Sequence, residues 1–171
     1  REAILRQANI VNGDVQDMAI YAALADNWPP APPAAPLAPK ILEVDNEIRL
    51  RPIAATDEDA MWNAIDGNRD YMEEFLPWVS GFSTRENHTK GFNQNRLEDD
   101  RFDRTAKYAI EYLGELAGTA GFGKATRDNG VEIGYWLRQD LQGNGIVTRA
   151  VAALIEMAIV QMGMHRIVIR A

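Results

Sequence analysis

The feature that most constrains the fold is a change of hydrophobic periodicity at the loop Gln142-Gly143-Asn144-Gly145. Before this loop, residues 131–138 have the composition of a β-strand bounded by turn residues. From about Ile146, apolar side chains recur every three to four residues, which predicts an amphipathic helix ending near Gly163. Residues 165–170 alternate again and predict a strand. A strand, a glycine loop, a helix and a strand in this order predict a mixed α/β fold.

The residues before the loop predict helices followed by strands. Period-two alternation predicts a strand at residues 48–53. Capping residues and charge predict helices at residues 56–65 and 69–75. A third helix is predicted from Ser83 or Thr84 to Arg101, with a capping box between Ser83 and Glu86 at its start. Three further strands are predicted, joined by turn sequences that favour an antiparallel meander: residues 106–112, 116–124 and 131–138. The fold class is therefore α/β (α+β), with a mixed, mostly antiparallel sheet flanked by helices.

The chain divides at a proline-rich stretch. Six of the eight prolines lie between Pro29 and Pro39, and such density predicts an extended linker at residues 29–40. A proline-rich ligand for an aromatic groove is the alternative interpretation. Residues 1–28 are predicted to form one or two short helices, and residues 41–171 to form the main domain.

Composition excludes several classes of function. Of the 171 residues, none is cysteine and two are histidine, so no disulfide, cysteine nucleophile or metal site is expected. A net charge of −7 argues against direct nucleic-acid binding and favours a cationic partner. No apolar run reaches the roughly 20 residues that span a bilayer, and no signal-peptide pattern begins the sequence. We therefore expect a cytoplasmic protein that does not contact a membrane.

The glycine loop predicts an anion site. Glycines allow the backbone to curl until successive N–H groups converge, and the N-terminus of the following helix adds partial positive charge. A phosphate or pyrophosphate is the ligand that such a loop favours. A phosphate loop of nucleotide hydrolases is excluded because no Gly-Lys-Ser/Thr follows, and the spacing does not match a dinucleotide fingerprint. A tight connection without a ligand is the alternative interpretation.

Two strings of residues carry a family resemblance. Val131-Glu132-Ile133-Gly134-Tyr135-Trp136-Leu137, followed by Gln142-Gly143-Asn144-Gly145-Ile146-Val147-Thr148, resembles the acetyl-CoA-binding motif of the GNAT N-acetyltransferases. Within that family it is similar to the Rim-type enzymes that acetylate the N-terminal alanine or serine of ribosomal proteins. Gln142 and Gly145 match the family pattern, whereas Val147 stands where the family has a small residue. Asn68-Arg69 and Leu76-Pro77-Trp78-Val79 also match, so the resemblance extends from Asn46 to Ala171.

The resemblance implies a GNAT-like fold and a set of site residues. Family members continue into a helix and two further strands, so these C-terminal strands are expected to be lacking after Ala171. Acetyl-CoA is the implied co-substrate, without a metal. Its implied binding residues are the β-strand backbone and the loop amides: Trp136, Leu137, Gln142, Gly143, Asn144, Gly145, Ile146, Val147 and Thr148.

The resemblance also implies how the reaction proceeds. An amine attacks the thioester directly in a ternary complex, and Glu132 is the implied base, the alternative being a surface carboxylate beside Arg127 or Arg138. Trp78 and Tyr135 are the candidate acceptor-binding residues, although a core position is the alternative for Trp78. His88 and His165 are not expected to be catalytic.

The acceptor and the assembly state follow from charge and from the strand edges. Residues 41–105 hold 15 acidic and 8 basic residues, an excess that would attract a cationic amine or a basic ribosomal protein, the alternative being ordinary solubility charge. The resemblance implies that the acceptor is the amino terminus of a ribosomal protein. Acetylation of a small amine, such as an antibiotic, a polyamine or an amino acid, is the first alternative. A non-catalytic acyl-CoA-binding module is the second. Exposed sheet edges would permit a homodimer.

Overall fold

A computed structural model describes residues 3–11, 14–20, 41–101, 107–125 and 129–169, with side chains described within 41–95, 107–123 and 129–169. Eight strands form two sheets. In chain order they are β1 (Ala3–Val11), β2 (Asp14–Ile20), β3 (Leu42–Glu43), β4 (Ile48–Pro52), β5 (Lys107–Tyr112), β6 (Glu115–Ala125), β7 (Gly130–Leu137) and β8 (Arg166–Ile169). The four α-helices are α1 (Glu58–Asp66), α2 (Arg69–Phe75), α3 (Arg85–Arg101) and α4 (Ile146–Glu156).

The main sheet has six strands whose spatial order follows the chain, from β3 to β8. All neighbours are antiparallel except β7 and β8, which are parallel. The parallel pair requires a crossover, and α4 supplies it between the two strands. The predicted mixed, mostly antiparallel sheet with flanking helices is confirmed.

Two hydrophobic cores lie on opposite faces of this sheet. The larger core packs one face against α4, around buried residues such as Tyr108, Phe122 and Leu154. The smaller core packs the other face against α1 to α3, and Trp136 of β7 belongs to it. Because side chains alternate along a strand, β7 contributes to both cores.

The helix boundaries largely follow the sequence signals. Helix α2 spans the predicted residues, and α1 ends at Gly67 as expected. At the start of α3 the Thr84 hydroxyl accepts the Asn87 N–H at 3.2 Å, so Thr84 is the N-cap. After α4, residues Met157–Gln161 widen into a π-helical turn, which interrupts the single helix predicted to Gly163.

The helices predicted for residues 1–28 are wrong over the described residues 3–11 and 14–20. There β1 and β2 form an antiparallel hairpin in which Val11 pairs with Asp14. The two residues between these partners in the sequence are Asn12-Gly13, a pair typical of hairpin turns. The turn signal thus outweighs the partial apolar stripe of Met18, Ile20, Tyr21 and Leu24, on which the helix prediction is based. The linker predicted at residues 29–40 lies outside the described residues, and the predicted domain boundaries stay predictions.

The described residues contain neither a membrane-spanning helix nor a metal-binding cluster. No described helix is long and apolar enough to cross a lipid bilayer. Within the same residues, no three histidine, aspartate or glutamate side chains lie close enough together to hold a metal ion.

Candidate functional site

The loop between β7 and α4 has the backbone geometry of an anion site. Gly143 and Gly145 have φ angles of +79° and +67°, values that favour glycine. Gly145 is the N-cap of α4. A Cβ atom built on either glycine meets no atom within 4 Å, so open space lies beside both residues. The glycines are therefore explained by backbone conformation and by free space for a ligand.

The amides of this loop lack partners within the described part of the chain. There, no hydrogen bond is donated by the backbone N–H groups of residues 143–148, and the first helical donation is from Arg149 N–H to the Gly145 carbonyl at 3.1 Å. The first N–H groups of a helix have no intrahelical acceptor, and Gly145 has no side chain to supply one. These amides and the α4 dipole together could hold a phosphate or pyrophosphate, as the sequence predicts.

The side chains that follow the loop are directed away from this space. Ile146 is 1% exposed and lies in the larger core. Val147 packs against the same core, so the branched side chain that replaces a small family residue does not occupy the anion site. Asn144 donates from its side chain to the Leu141 carbonyl at 3.0 Å and stabilises the loop. The predicted loop residues thus form one structural unit.

Arg149 ties the loop to the opposite edge of the sheet. Its guanidinium contacts Asp45 at 2.7 Å and Glu47 at 2.9 Å, and donates to the Asn144 carbonyl at 3.3 Å. The Glu47 N–H, and to a lesser degree Ile48 N–H and Arg149, lower the pKa of Asp45 against a smaller opposing effect of burial. Sequence reasoning missed Arg149, because its partners lie about 100 residues earlier in the chain.

The corner between α1 and α2 holds the other end of the loop. Asn68 donates to the Ala64 carbonyl at 2.8 Å and accepts the Gln139 N–H at 2.8 Å. Gln142, predicted to contact acetyl-CoA, donates its side-chain N–H to the Tyr71 hydroxyl at 2.5 Å. The loop is therefore held on both sides by side chains from distant elements.

A cleft of about 800 Å³ lies beside this corner. Its lining residues come from α1, the α1–α2 corner, β6 and the segment after β7: Ala60, Asn63, Ala64, Gly67, Asn68, Glu115, Leu116, Arg138, Gln139 and Asp140. Arg138 pairs with Asp140 at 2.7 Å, and this hydrogen bond lowers the pKa of Asp140. None of the predicted site residues lines the cleft, which is next to the loop rather than part of it.

The backbone of β7 presents alternate residues to the two neighbouring strands. Arg138 N–H donates to the Ala117 carbonyl of β6 at 2.9 Å, and Trp136 is paired with Thr119. By the alternation of an antiparallel ladder, Trp136 also directs its N–H and C=O to β6, whereas Tyr135 and Leu137 direct theirs to the β8 side. Leu137 therefore fits the predicted backbone contact to the co-substrate better than Trp136 does.

The predicted base, Glu132, lies on the face of β7 that carries Trp136. Its side chain is half-buried, and its Cβ lies opposite Gly123 of β6. Leu137 comes five positions after Glu132, a distance of about 17 Å along a strand. Glu132 is therefore well removed from the anion loop, at the far end of any ligand that runs along β7.

The two predicted acceptor residues lie on opposite faces of the sheet. Tyr135 is half-buried against the larger core. Trp78 lies in a 3-10 turn, Pro77–Phe82, and is 40% exposed, so it is not a core residue. The next residue, Val79, is buried in the smaller core together with Trp136, which places the turn on the Glu132 face. The structure does not bring Tyr135 and Trp78 together.

His88, which the sequence did not mark as functional, is one of the most buried polar residues. It is 2% exposed, and its Nδ1 atom lies 3.2 Å from Glu58 Oε1. Its ring stacks on Phe92 and meets Trp62 and Phe82 edge-on. The i, i+4 spacing of His88 and Phe92 was the available signal that this helical face is buried.

Comparisons with known proteins agree with the fold. Residues 47–171 match the family model described as "Acetyltransferase (GNAT) domain". The ribosomal-protein-serine acetyltransferase of Escherichia coli (strain K12) is 27% identical over 115 residues, which cover 67% of this chain and 64% of that protein. The chain thus spans slightly less than two thirds of the curated relative it matches.

Solved structures give the same result. The ribosomal L7/L12 alpha-N-protein acetyltransferase RimL, in complex with coenzyme A, has a TM-score of 0.63 and 26% identity, covering 68% of this chain and 66% of that chain. An acetyl transferase from Salmonella typhimurium that modifies the N-terminal serine of ribosomal protein L7/L12 has a TM-score of 0.65 and 26% identity. Coverage there is 76% of this chain and 74% of that chain.

Proposed function

Because the chain belongs to the GNAT acetyltransferase family, we propose that it transfers the acetyl group of acetyl-CoA to the amino-terminal amine of a protein. A ribosomal protein is the proposed acceptor, since similar proteins are ribosomal-protein acetyltransferases. The observation that carries the donor half of the proposal is the run of backbone N–H groups from residue 143 to residue 148 without described partners. The cytoplasm is the proposed compartment.

The loop and β7 would hold the donor. The pyrophosphate of acetyl-CoA carries the negative charge that the amides of residues 143–148 and the α4 N-terminus stabilise. The Thr148 side chain is exposed beside these amides and can add its hydroxyl. Tyr135 and Leu137 would hydrogen-bond the pantetheine arm through their backbone, as a further strand does. The thioester then lies along β7, towards Glu132.

The chemistry needs one base and one oxyanion donor. The acceptor amine must be neutral to attack, so Glu132 accepts a proton from the ammonium, directly or through water. The amine nitrogen bonds to the thioester carbon, and a β7 backbone N–H stabilises the oxyanion that forms. When the carbon–sulfur bond breaks, the thiolate leaves and takes up a proton, while the attacking nitrogen loses one of its two remaining protons to become the amide. The products are an acetylated amine and free coenzyme A.

The acceptor would approach on the face that carries Trp78. This face includes the acidic helices α1 and α2, which attract a basic segment, and Trp78 offers an exposed aromatic surface. Tyr135 lies on the other face, and its backbone is the part that we assign to the donor. A homodimer formed through sheet edges stays a prediction.

The test is an acetyl-transfer assay with matched acceptors. Free coenzyme A would be measured by thiol release, and the modified peptide by mass spectrometry, for basic peptides with a free or a blocked amino terminus and for small amines. We expect turnover only with the free amino terminus. Turnover with small amines alone would refute the protein acceptor, and acetyl-CoA binding without any turnover would indicate a non-catalytic module.

Glu132→Gln tests the base. We expect kcat to fall about 100-fold or more, within the usual range for general base catalysis, with the Kd for acetyl-CoA unchanged. Glu156→Gln, at an exposed position in α4, is the matched control and should retain parent activity. An active Glu132→Gln variant would show that another group removes the proton.

A further inference from the structure

The turn that carries Trp78 is anchored at two residues, Val79 and Phe82. We call residues Pro77–Phe82 the Trp78 turn. Val79 is buried in the smaller core and holds the backbone next to Trp78. The Trp78 ring, which is 40% exposed, meets the Phe82 ring edge-to-face, with ring centroids 5.7 Å apart. The Phe82 ring therefore limits where the Trp78 side chain can lie on this backbone anchor.

A glycine in α3 makes room for the Phe82 ring. A Cβ atom built on Gly91 would overlap Phe82 Cε1 and lie 2.8 Å from Phe82 Cζ. Glycine inside a helix is less favourable than alanine, and Gly91 shows no positive φ that would require it. The close approach of Phe82 is therefore the reason for glycine at this position.

His88 forms the second wall of this space, one helical turn earlier. Its ring meets Phe82 edge-on at 5.8 Å and stacks on Phe92 at 5.9 Å. Glu58 of α1 contacts His88 Nδ1 at 3.2 Å and also accepts from Arg85 at 2.7 Å. The His88 ring is thus held by α1 and α3 together. We call Gly91 and His88 the Phe82 socket.

The backbone of the Trp78 turn is held as well. Arg69 of α2 donates to the Phe82 carbonyl at 3.0 Å and to the Val79 carbonyl at 3.4 Å. Its guanidinium also lies 5.7 Å from the centroid of the Trp62 ring, a cation–π contact that limits its movement. Phe82 is therefore held both by its ring, against His88, and by its carbonyl, which accepts from Arg69.

We propose that the Phe82 socket positions Trp78 and thereby sets the affinity of the protein for its acceptor. Gly91, His88 and Phe82 are positioning residues in this scheme, since none is assigned to the donor or to proton transfer. The step from Trp78 to acceptor affinity rests on the proposed function. The step from the socket to Trp78 rests on geometry alone.

Gly91→Ala is the decisive variant. The added methyl group must displace the Phe82 ring, while alanine favours the helix more than glycine does, so the fold should persist. We expect the acceptor KM to rise at least fivefold, with kcat and the Kd for acetyl-CoA within twofold of the parent. Asn93→Ala, at an exposed position of the same helix, is the matched control and should leave all three unchanged.

A second readout follows Trp78 directly. The protein is labelled with 5-fluorotryptophan, and the Trp78 resonance in the ¹⁹F NMR spectrum is assigned with Trp78→Phe. It should shift in Gly91→Ala, and in Gly91→Ala/Phe82→Leu it should coincide with the resonance of Phe82→Leu, because the ring atoms that clash with the added methyl group are absent. Phe82→Leu alone, which empties the socket without a clash, should also shift the resonance.

The outcomes separate the two steps. A Trp78 resonance that is unchanged in both Gly91→Ala and Phe82→Leu would overturn the socket and leave the proposed function standing. A shifted resonance with an unchanged acceptor KM would overturn the link to acceptor affinity. If the parent transfers no acetyl group, the proposed function has failed, and the resonance alone then decides whether the socket positions Trp78.

Discussion

Gly145→Ala gives the most direct test of the anion site. Gly145 has a φ of +67° and a Cβ there would meet no protein atom within 4 Å, so the substitution strains the backbone without a clash. A residue with a Cβ relaxes that strain by rotating out of the left-handed region. The rotation turns the N–H groups of Ile146 and Val147 away from their common point, and the methyl group fills the space beside them.

The expected loss of affinity follows from those N–H groups. A hydrogen bond to a charged group contributes about 1.5–3 kcal/mol, so misdirecting two of them weakens binding by about 3 kcal/mol or more. At about 1.4 kcal/mol per tenfold change, the Kd for acetyl-CoA should rise at least about 100-fold. The left-handed conformation itself costs a non-glycine residue about 1–2 kcal/mol, which lowers Tm by about 2–8 °C for a chain of this length.

Gly114→Ala is the matched control. Gly114 in the β5–β6 turn has a φ of +87°, and a Cβ there also meets nothing within 4 Å. Its loss of stability should equal that of Gly145→Ala, with the affinity for acetyl-CoA retained. Calorimetric titration with acetyl-CoA and with acetyl-pantetheine, which lacks the pyrophosphate, completes the design. The Kd for acetyl-CoA should differ between Gly145→Ala and the parent, whereas the Kd for acetyl-pantetheine should be the same.

Two results would refute the reasoning. Equal acetyl-CoA affinity of Gly145→Ala and the parent would show that the loop amides do not hold the pyrophosphate. An equal loss of affinity in Gly145→Ala and Gly114→Ala would show that the effect comes from general destabilisation.

Two further predictions concern stability. Asp57→Asn breaks the pair with Arg51 at 2.6 Å and should cost about 3 kcal/mol at pH 7, the low end for a buried pair. Burial raises the pKa of Asp57, but hydrogen bonds from Arg51 and the Ala54 N–H together lower it by more, so its pKa lies below the usual value. The parent should therefore lose this stabilisation as pH falls below about 4. In urea unfolding, the free energy of unfolding of Asp57→Asn should depend less on pH in this acidic range. Gly118→Ala places a Cβ 2.9 Å from the Leu137 Cα and should cost about 1–3 kcal/mol or more. Gly123→Ala, whose Cβ makes an ordinary 3.6 Å contact, should keep parent stability, and equal stability of the two glycine variants would contradict the packing argument.

Much of the fold was predictable because local patterns agreed with tertiary demands. Alternating apolar residues in β4 and the meander from β5 to β7 identified the strands, and Gly67 identified the end of α1. The N-terminal hairpin was missed because a weak helical stripe was preferred over the Asn-Gly turn signal. The π-helical turn at Met157–Gln161 was not predictable, since its residues keep a helical spacing.

The candidate site shows the same division. The glycine loop was readable from the sequence, because a turn that requires positive φ and a helix N-terminus are local features. Arg149 and Asn68 were not assigned their roles, because their partners lie far away in the chain. The sequence indicated only that His88 is not expected to be catalytic, whereas the structure shows that its ring is enclosed by aromatic side chains.

The sequence by itself determined most element types between β4 and β8, the glycine loop and the family, because periodicity, turn chemistry and a contiguous motif are encoded in neighbouring residues. Only the tertiary structure decided which face of β7 carries Glu132 and Trp136, which backbone groups face β8, and how Gly91 admits the Phe82 ring. These depend on strand register and on side chains from three helices meeting in space. No local pattern carries that information, since a shift of one residue in register moves every side chain to the other face.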